Sequence, residues 1–422
     1  MRWLLAAIGT ISLLTAACGG GGDNDQSPTD STTSSSASTP SPSSTPALSG
    51  PSLRRDASTA DIAFFKAGLL YLDEGMGGDL RRLTAGDECM QDPKWGSLTW
   101  SPDGAKLLCT SGDLKALIVD ADGRLLGKTE GYIYNCAWSP DSINLLCQVG
   151  SDKAVLTLFD SNLKKIAEIP DSIPFGGVYR LDGLSFWSPD GDLFAYYSGE
   201  NNEAIVASRS DPAQTIRLPD HRPLAWLDTS RLIVGQGTWD TDFTTTTRFE
   251  TSTWNVDTDA VERLPGLDYD GAEGLRHQQA WLLPDATRAL VIVPRNEYPL
   301  GLAVIDIDTG EITEITGSKI GYPSEGVPPR NIWLSNDGVH LWWAEVSTGT
   351  LLQRTALDNL EAQDMGHRNG YPMSVSGDAR AIAFASALGS STELVVENFD
   401  GSGRTVLSGD LNTPFTWRPE PQ

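Results

Sequence analysis

Four arginines stand a few residues ahead of short apolar segments: Arg180, Arg276, Arg330 and Arg368, with His277 and His367 beside two of them. Tyr179, Tyr322 and Tyr371 fall in the same stretches, as do Tyr132, Phe175 and Tyr269. A guanidinium offers paired N–H donors to a carboxylate, and a phenol hydroxyl adds one donor or acceptor. Brought to one place, these side chains would form a positive, hydrogen-bonding cup for a carboxylate-bearing peptide or glycan. The competing reading pairs each Arg with a loop acid such as Asp182, Glu273 or Glu325, and the small worth of single exposed charges favours it.

Other chemistry is sparse. Asp268, Asp270 and Glu273 place oxygen ligands in a short loop, a weak calcium pattern that lacks the further acids of an EF-hand. Ordinary acidic turns look the same. No Gly-x-Ser-x-Gly elbow, His-Glu-x-x-His, phosphate loop or dinucleotide fingerprint occurs. The four histidines, His221, His277, His340 and His367, are too few for a His-rich metal centre, and His340 alternates with apolar residues as in a strand. No cofactor is expected. The 31 Lys plus Arg against 56 Asp plus Glu give a net charge of −25, which argues against a nucleic-acid partner.

The chain opens with Arg2, an apolar run from Leu4 to Leu14 and the small residues Thr15, Ala16 and Ala17 before Cys18. This is the pattern of a secretory signal, too short to span a bilayer. Leu-Thr-Ala-Ala-Cys resembles the bacterial lipobox, with Leu14 one place further out than the commonest pattern. The resemblance implies that Cys18 is the lipidated first residue of the mature chain. Residues 19–59 are rich in Gly, Ser, Thr and Pro and cannot bury apolar area, so they read as a disordered tether. About 40 such residues reach on the order of 35 Å. The remaining cysteines, Cys89, Cys109, Cys136 and Cys147, are even in number, and their spacings of 20, 27 and 11 contain no Cys-x-x-Cys pair. Export favours two disulfides over zinc, with three connectivities open.

The elements that would position these groups emerge from an internal repeat. Leu-Thr-Trp100-Ser-Pro-Asp-Gly is echoed by Cys-Ala-Trp138-Ser-Pro-Asp-Ser and Ser-Phe-Trp187-Ser-Pro-Asp-Gly. Weaker copies stand at Trp226, Trp281, Trp333 and Val375, and the last is Phe-Thr-Trp417-Arg-Pro at the C-terminus. Each copy reads as a strand ending at Trp, a type I turn, and an apolar strand returning. A second hairpin signal comes about ten residues later, as at Asp120, Asp160, Asp306 and Asp400. The turn residues Asp103, Asp141 and Asp190 are therefore read as structural.

Four strands per unit, repeated radially with a large apolar anchor, make a β-propeller blade. The Trp-Ser-Pro-Asp-Gly unit resembles the WD40-like, or PD40, repeat of TolB-type β-propellers, from about residue 60 to the end. Eight anchors predict an all-β propeller of eight four-stranded blades, or seven if the divergent Trp226 region folds otherwise. Three strands from Ile62 to Leu83 lack an innermost strand, and Trp417 has no strands after it to complete a blade. The two ends should therefore pair and close the ring.

The expected organisation is a signal over 1–18, a tether over 19–59 and one propeller over 60–422. The Ser-Pro-Asp turns fall on one face and the connections between blades on the opposite mouth. The leading functional expectation is a monomeric, lipid-anchored, extracytoplasmic binding or scaffold module. Its TolB-like partners, an envelope protein or a cell-wall glycan, are implied by resemblance only. The rival is a lyase or lactonase-like propeller enzyme acting on a sugar or lactone at the channel mouth.

Overall fold

Ser101 shows how one tetrapeptide makes a corner. Its N–H donates to the Lys106 carbonyl at 2.7 Å, its hydroxyl accepts from the Lys106 N–H at 2.9 Å and donates to Asp103 Oδ1 at 2.5 Å, and Asp103 accepts the Ala105 N–H at 3.0 Å. Gly104 takes the left-handed conformation that completes the turn, with φ +66°. The same network recurs from Ser139 with Asp141, Ser188 with Asp190 and Ser376 with Asp378. The repeated aspartates are thus spent on their own turns.

The computed structural model describes residues 60–66, 69–75, 79–84, 97–110, 115–131, 133–150, 155–169, 187–198, 201–239, 246–264, 268–270, 280–283, 285, 287–293, 301–318, 332–334, 340–346, 350–368, 370–378, 380–388, 391–399, 401–408 and 415–419. All belong to the unit Arg55–Gln422. Among the described residues every element is a β-strand, and the pairings are antiparallel meanders.

Blade 1 contains β1 (Ile62–Lys66), β2 (Leu69–Asp73) and β3 (Leu80–Arg82). Blade 2 runs through β4 (Ser97–Trp100), β5 (Lys106–Thr110), β6 (Lys115–Asp120) and β7 (Leu125–Glu130). Blade 3 has β8 (Ile133–Trp138), β9 (Asn144–Val149), β10 (Val155–Asp160) and β11 (Lys165–Glu168). In blade 4 the bridge between Trp187 and Phe194 marks the innermost strand, ahead of β12 (Leu193–Ser198), β13 (Glu203–Ser208) and β14 (Thr215–Pro219). Blade 5 has β15 (Arg222–Trp226), β16 (Arg231–Trp239), β17 (Thr246–Asn255) and β18 (Ala260–Arg263), and an extra strand, β19 (Tyr269–Asp270), pairs with β17.

Blade 6 is built from β20 (Ala280–Leu282), β21 (Arg288–Val293), β22 (Gly301–Asp306) and β23 (Ile312–Glu314). Blade 7 comprises β24 (Ile332–Leu334), β25 (His340–Val346), β26 (Thr350–Ala356) and β27 (Gln363–Arg368). Blade 8 comprises β28 (Gly370–Val375), β29 (Ala381–Leu388), β30 (Ser391–Asn398) and β31 (Thr405–Ser408). The last strand, β32 (Phe415–Trp417), returns to blade 1 and pairs with β1, Ile62 opposite Trp417 and Phe64 opposite Phe415.

The architecture is therefore an eight-bladed propeller closed by its two ends, as the repeat predicts. The Trp226 region forms a whole blade, which removes the seven-bladed alternative. Its turn lacks the Pro, and the Asp228 carboxylate accepts the N–H groups of Ser230 and Arg231 instead, at 2.8 and 2.7 Å.

Side chains alternate along each strand, so one strand serves two interfaces. Ala63 and Phe65 pack with blade 2 around Trp100, while Ile62 and Phe64 pack with blade 8 around Trp417. Eight apolar clusters of this kind fill the eight gaps between consecutive blades. Burying a large apolar side chain stabilises by roughly 1.5–3 kcal/mol, so both-face burial explains the near-continuous apolar strands. The anchors add direction. The indole Nε1 of Trp138 donates to the Thr99 carbonyl at 3.3 Å, that of Trp187 to Ala137 at 3.2 Å and that of Trp417 to Ser374 at 3.2 Å. Each acceptor is the residue just before the anchor position of the preceding blade.

Cys136 and Cys147 sit directly opposite on β8 and β9 and are disulfide-bonded. Cys109 is also disulfide-bonded, to a partner outside the described residues.

Candidate functional site

The meander gives the ring two unlike faces. At one end of the sheets lie the Ser-Pro-Asp turns and the second hairpin turns. At the other end, the mouth, lie the strand ends that lead from blade to blade.

Cations on the turn face clamp neighbouring blades. Lys106 Nζ donates to Ser161 Oγ at 2.6 Å, Arg231 Nη1 to the Ile307 carbonyl at 3.2 Å and Arg288 Nη1 to the Leu357 carbonyl at 2.9 Å. Arg209 pairs with Asp141 of the preceding blade. Burial works against the charged forms of Asp103, Asp141, Asp228 and Asp285. Hydrogen bonds from Ser101, Ser139, the Ser230 N–H and Arg288 respectively, with others behind them, outweigh it and hold all four carboxyls below the ordinary carboxylate value. These carboxylates stay ionised and are occupied by structure.

The mouth end of blades 4 and 5 is different in kind. Tyr197, near the end of β12, donates from its hydroxyl to Asn202 Oδ1 at 2.7 Å. Asn202 Nδ2 donates to Asp220 Oδ1 at 3.0 Å, and the Asp220 N–H donates to the Asn202 carbonyl at 2.8 Å. Both Asn202 and Asp220 adopt positive φ, 55° and 58°, which short polar side chains tolerate. Two residues on, the guanidinium carbon of Arg222, the first residue of innermost strand β15, lies 6.0 Å from the centre of the Tyr197 ring. His221 Nδ1 is 2.7 Å from the Pro219 carbonyl, and Arg217 pairs with Glu203 at 3.1 Å. Aromatic, amide, carboxylate and guanidinium groups are therefore held part-exposed in one place, a set of groups suited to a polar ligand.

Blade 5 also rises past its neighbours. β16 and β17 have 9 and 10 residues, against 6 each for β12 and β13 of blade 4 and for β21 and β22 of blade 6, and β19 pairs with the outlying part of β17 through Arg248 opposite Asp270 and Phe249 opposite Tyr269. The result is a three-stranded flap at the mouth.

Of the residues singled out in the sequence, His367 and Arg368 end β27, the outermost strand of blade 7, and Tyr371 lies on β28, the innermost strand of blade 8. All three are at the mouth end of their strands. Arg180, Arg276, His277, Arg330, Tyr179 and Tyr322 lie outside the described residues. Asp268 accepts the Thr251 N–H at 2.8 Å and Arg263 Nη2 at 2.5 Å, Asp270 lies on β19, and Glu273 is outside the described residues. His340 begins β25. Cys18 and Cys89 are likewise outside. The Tyr197, Asn202, Asp220 and Arg222 network escaped sequence reasoning. Its only signal was the dense polar run around a two-residue link between blades, Asp220-His221.

No protein-family model matches the chain, and no curated protein matches it. Solved structures do share its fold. It is similar to a eukaryotic initiation factor, at 11% identity over 86% of this chain and 100% of that one, with a TM-score of 0.56. It is similar to the dihydro-heme d1 dehydrogenase NirN in complex with DHE, at 15% identity over 84% of this chain and 75% of that one, with a TM-score of 0.50. TolB from Acinetobacter baumannii matches at 13% identity over 72% of this chain, which spans 63% of the TolB chain, with a TM-score of 0.37. At such identities the likeness is one of propeller fold.

Proposed function

We propose that this propeller is an extracytoplasmic binding module, held to a bacterial membrane by a lipid on Cys18, that takes a protein or cell-wall glycan partner at its mouth. The observation that carries the reading is the part-exposed network of Tyr197, Asn202, Asp220 and Arg222. The blade interfaces and the turn face use their polar groups on the ring itself, whereas this network spends its groups on positioning side chains at a strand end. The Arg, His and Tyr residues named from sequence, Arg180, Arg276, His277, Arg330, His367, Arg368, Tyr179, Tyr322 and Tyr371, extend the same surface in this reading. The disulfide between Cys136 and Cys147 supports an oxidising compartment. The lipobox-like Leu-Thr-Ala-Ala-Cys supports the anchor.

The test has two arms. Cys18→Ser should move the protein from the membrane fraction to the soluble fraction, and unchanged fractionation would remove the anchor. For the mouth, a photo-crosslinking amino acid at exposed Asn201 should capture a discrete partner in envelope extract, weakened by Arg222→Ala and Tyr197→Ala. Capture indifferent to both substitutions would overturn the reading.

A further inference from the structure

The flap on blade 5 leaves one edge of a strand without a neighbour. Strand β15 begins at Arg222, opposite Gly235 of β16, so residues Gln236–Trp239 run on beyond it. On the other side these residues remain paired with β17, Gln236 opposite Glu250 and Gly237 opposite Phe249. Because β15 is the innermost strand, the uncovered edge faces the channel. The chain cannot continue along it, since Asp220, at φ +58°, turns away to bond with Asn202. Among the described residues no strand pairs with that edge.

The direction of the backbone groups is set by the hydrogen bonds at the start of β16. The Arg231 carbonyl accepts the Leu227 N–H at 2.8 Å on the β15 side, and the Ser230 carbonyl accepts the Val256 N–H at 2.9 Å on the β17 side. The β16–β17 register is regular from Arg231 to Thr238. Alternation then turns the N–H and C=O of Leu232, Val234, Gln236 and Thr238 toward β17, and those of Arg231, Ile233, Gly235 and Gly237 the other way. Gly237 therefore presents both backbone groups to the open edge, and its lack of a side chain permits close approach. The Arg222 and Tyr197 pair lies beside the same edge.

We infer that the channel-facing edge of β16 at Gly237 binds an extended peptide of a partner protein by strand addition, an inference that rests on the mouth-binding reading above. An outward backbone N–H and C=O pair on a strand edge is matched best by another extended backbone. A second copy is opposed by the net charge of −25 on each chain. The same charge favours a neutral or basic segment.

The test uses random 12-residue peptides of neutral or positive charge, selected on the full chain, with affinities then measured for three variants. Gly237→Pro removes the outward N–H while sparing the ladder to β17, Gly237→Ala keeps that N–H, and Arg222→Ala disturbs the adjoining network. Strand addition predicts roughly tenfold weaker binding to Gly237→Pro and near-normal binding to Gly237→Ala. N-methylation of the peptide should hurt at alternate positions. Peptides sensitive to Arg222→Ala but indifferent to Gly237→Pro would overturn strand addition and leave mouth binding standing. Peptides indifferent to both, or no peptides at all, would overturn strand addition and leave mouth binding to the crosslinking test above, and a dimer in sedimentation that Gly237→Pro dissociates would make a second copy the occupant. If Gly237→Pro lowers the thermal midpoint, the N-methyl series decides.

Discussion

The guanidinium of Arg418 lies over the ring of Trp100, 5.5 Å from its centre, at the seam where the two ends of the chain meet. The Trp100 Nε1, unlike those of Trp138, Trp187 and Trp417, is buried with no hydrogen-bond partner among the described residues. Arg418 also donates to the Gly104 carbonyl at 2.7 Å and pairs with Asp61 at 3.1 Å, while its N–H donates to the Asp61 carbonyl at 2.8 Å. Arg418→Ala should therefore destabilise the ring by about 1–3 kcal/mol, read in denaturant unfolding. Removing the last ten residues deletes β32 and should cost far more, and an unchanged thermal midpoint would sink closure by the two ends.

Trp187 separates packing from hydrogen bonding. Trp187→Phe keeps an aromatic ring beside Phe194 but loses the bond to the Ala137 carbonyl, for about 1–2 kcal/mol including some lost volume. Trp187→Ala should cost about 3–5 kcal/mol, because the cavity opens between two blades. Equal losses for the two variants would mean that the indole N–H, not the ring, dominates.

Acid should loosen the turn face. Burial raises the pKa of Asp103, Asp141, Asp228 and Asp285, but their hydrogen bonds more than offset it, so each folded value lies below the unfolded one of about 3.9. Groups of this sign stabilise fully above the unfolded value and lose their contribution as pH falls through the folded value. Urea midpoints should be flat from pH 7 to about 5 and then decline, and Asp141→Asn should shallow that decline. A midpoint that rises on acidification would contradict the assignment.

The disulfide of Cys136 with Cys147 closes a loop of sequence separation 11 across β8 and β9. In the chain-entropy account such a loop is worth about 3 kcal/mol. The Cys136→Ala, Cys147→Ala double variant should unfold at correspondingly lower denaturant, with the native β-sheet spectrum retained in its absence.

Gly127 tests blade spacing. A Cβ there would sit 2.0 Å from the Asn162 carbonyl oxygen of the next blade, and a backbone atom cannot swing aside. Gly127→Ala should destabilise by about 1–3 kcal/mol, and a neutral effect would show that blades 2 and 3 can part without cost.

By itself the sequence determined the blade, because the cause of each blade is local. A Trp, a turn that needs Ser, Asp and a residue tolerant of positive φ, and strands apolar on both faces recur at a readable period. The expectation of eight blades, with seven left open, and the pairing of the chain ends therefore came from Trp100, Trp138, Trp187 and their weaker copies, and the whole blade at Trp226 decided for eight. The repeat also showed that its aspartates serve turns. What only the tertiary structure decided depends on groups that the period does not bring together. Arg418 meets Trp100 across more than three hundred residues of chain, and Arg222 meets Tyr197 because one blade ends where the next begins. The open edge at Gly237 exists only because β16 outruns β15, a difference of strand lengths within one sheet that composition and spacing do not carry.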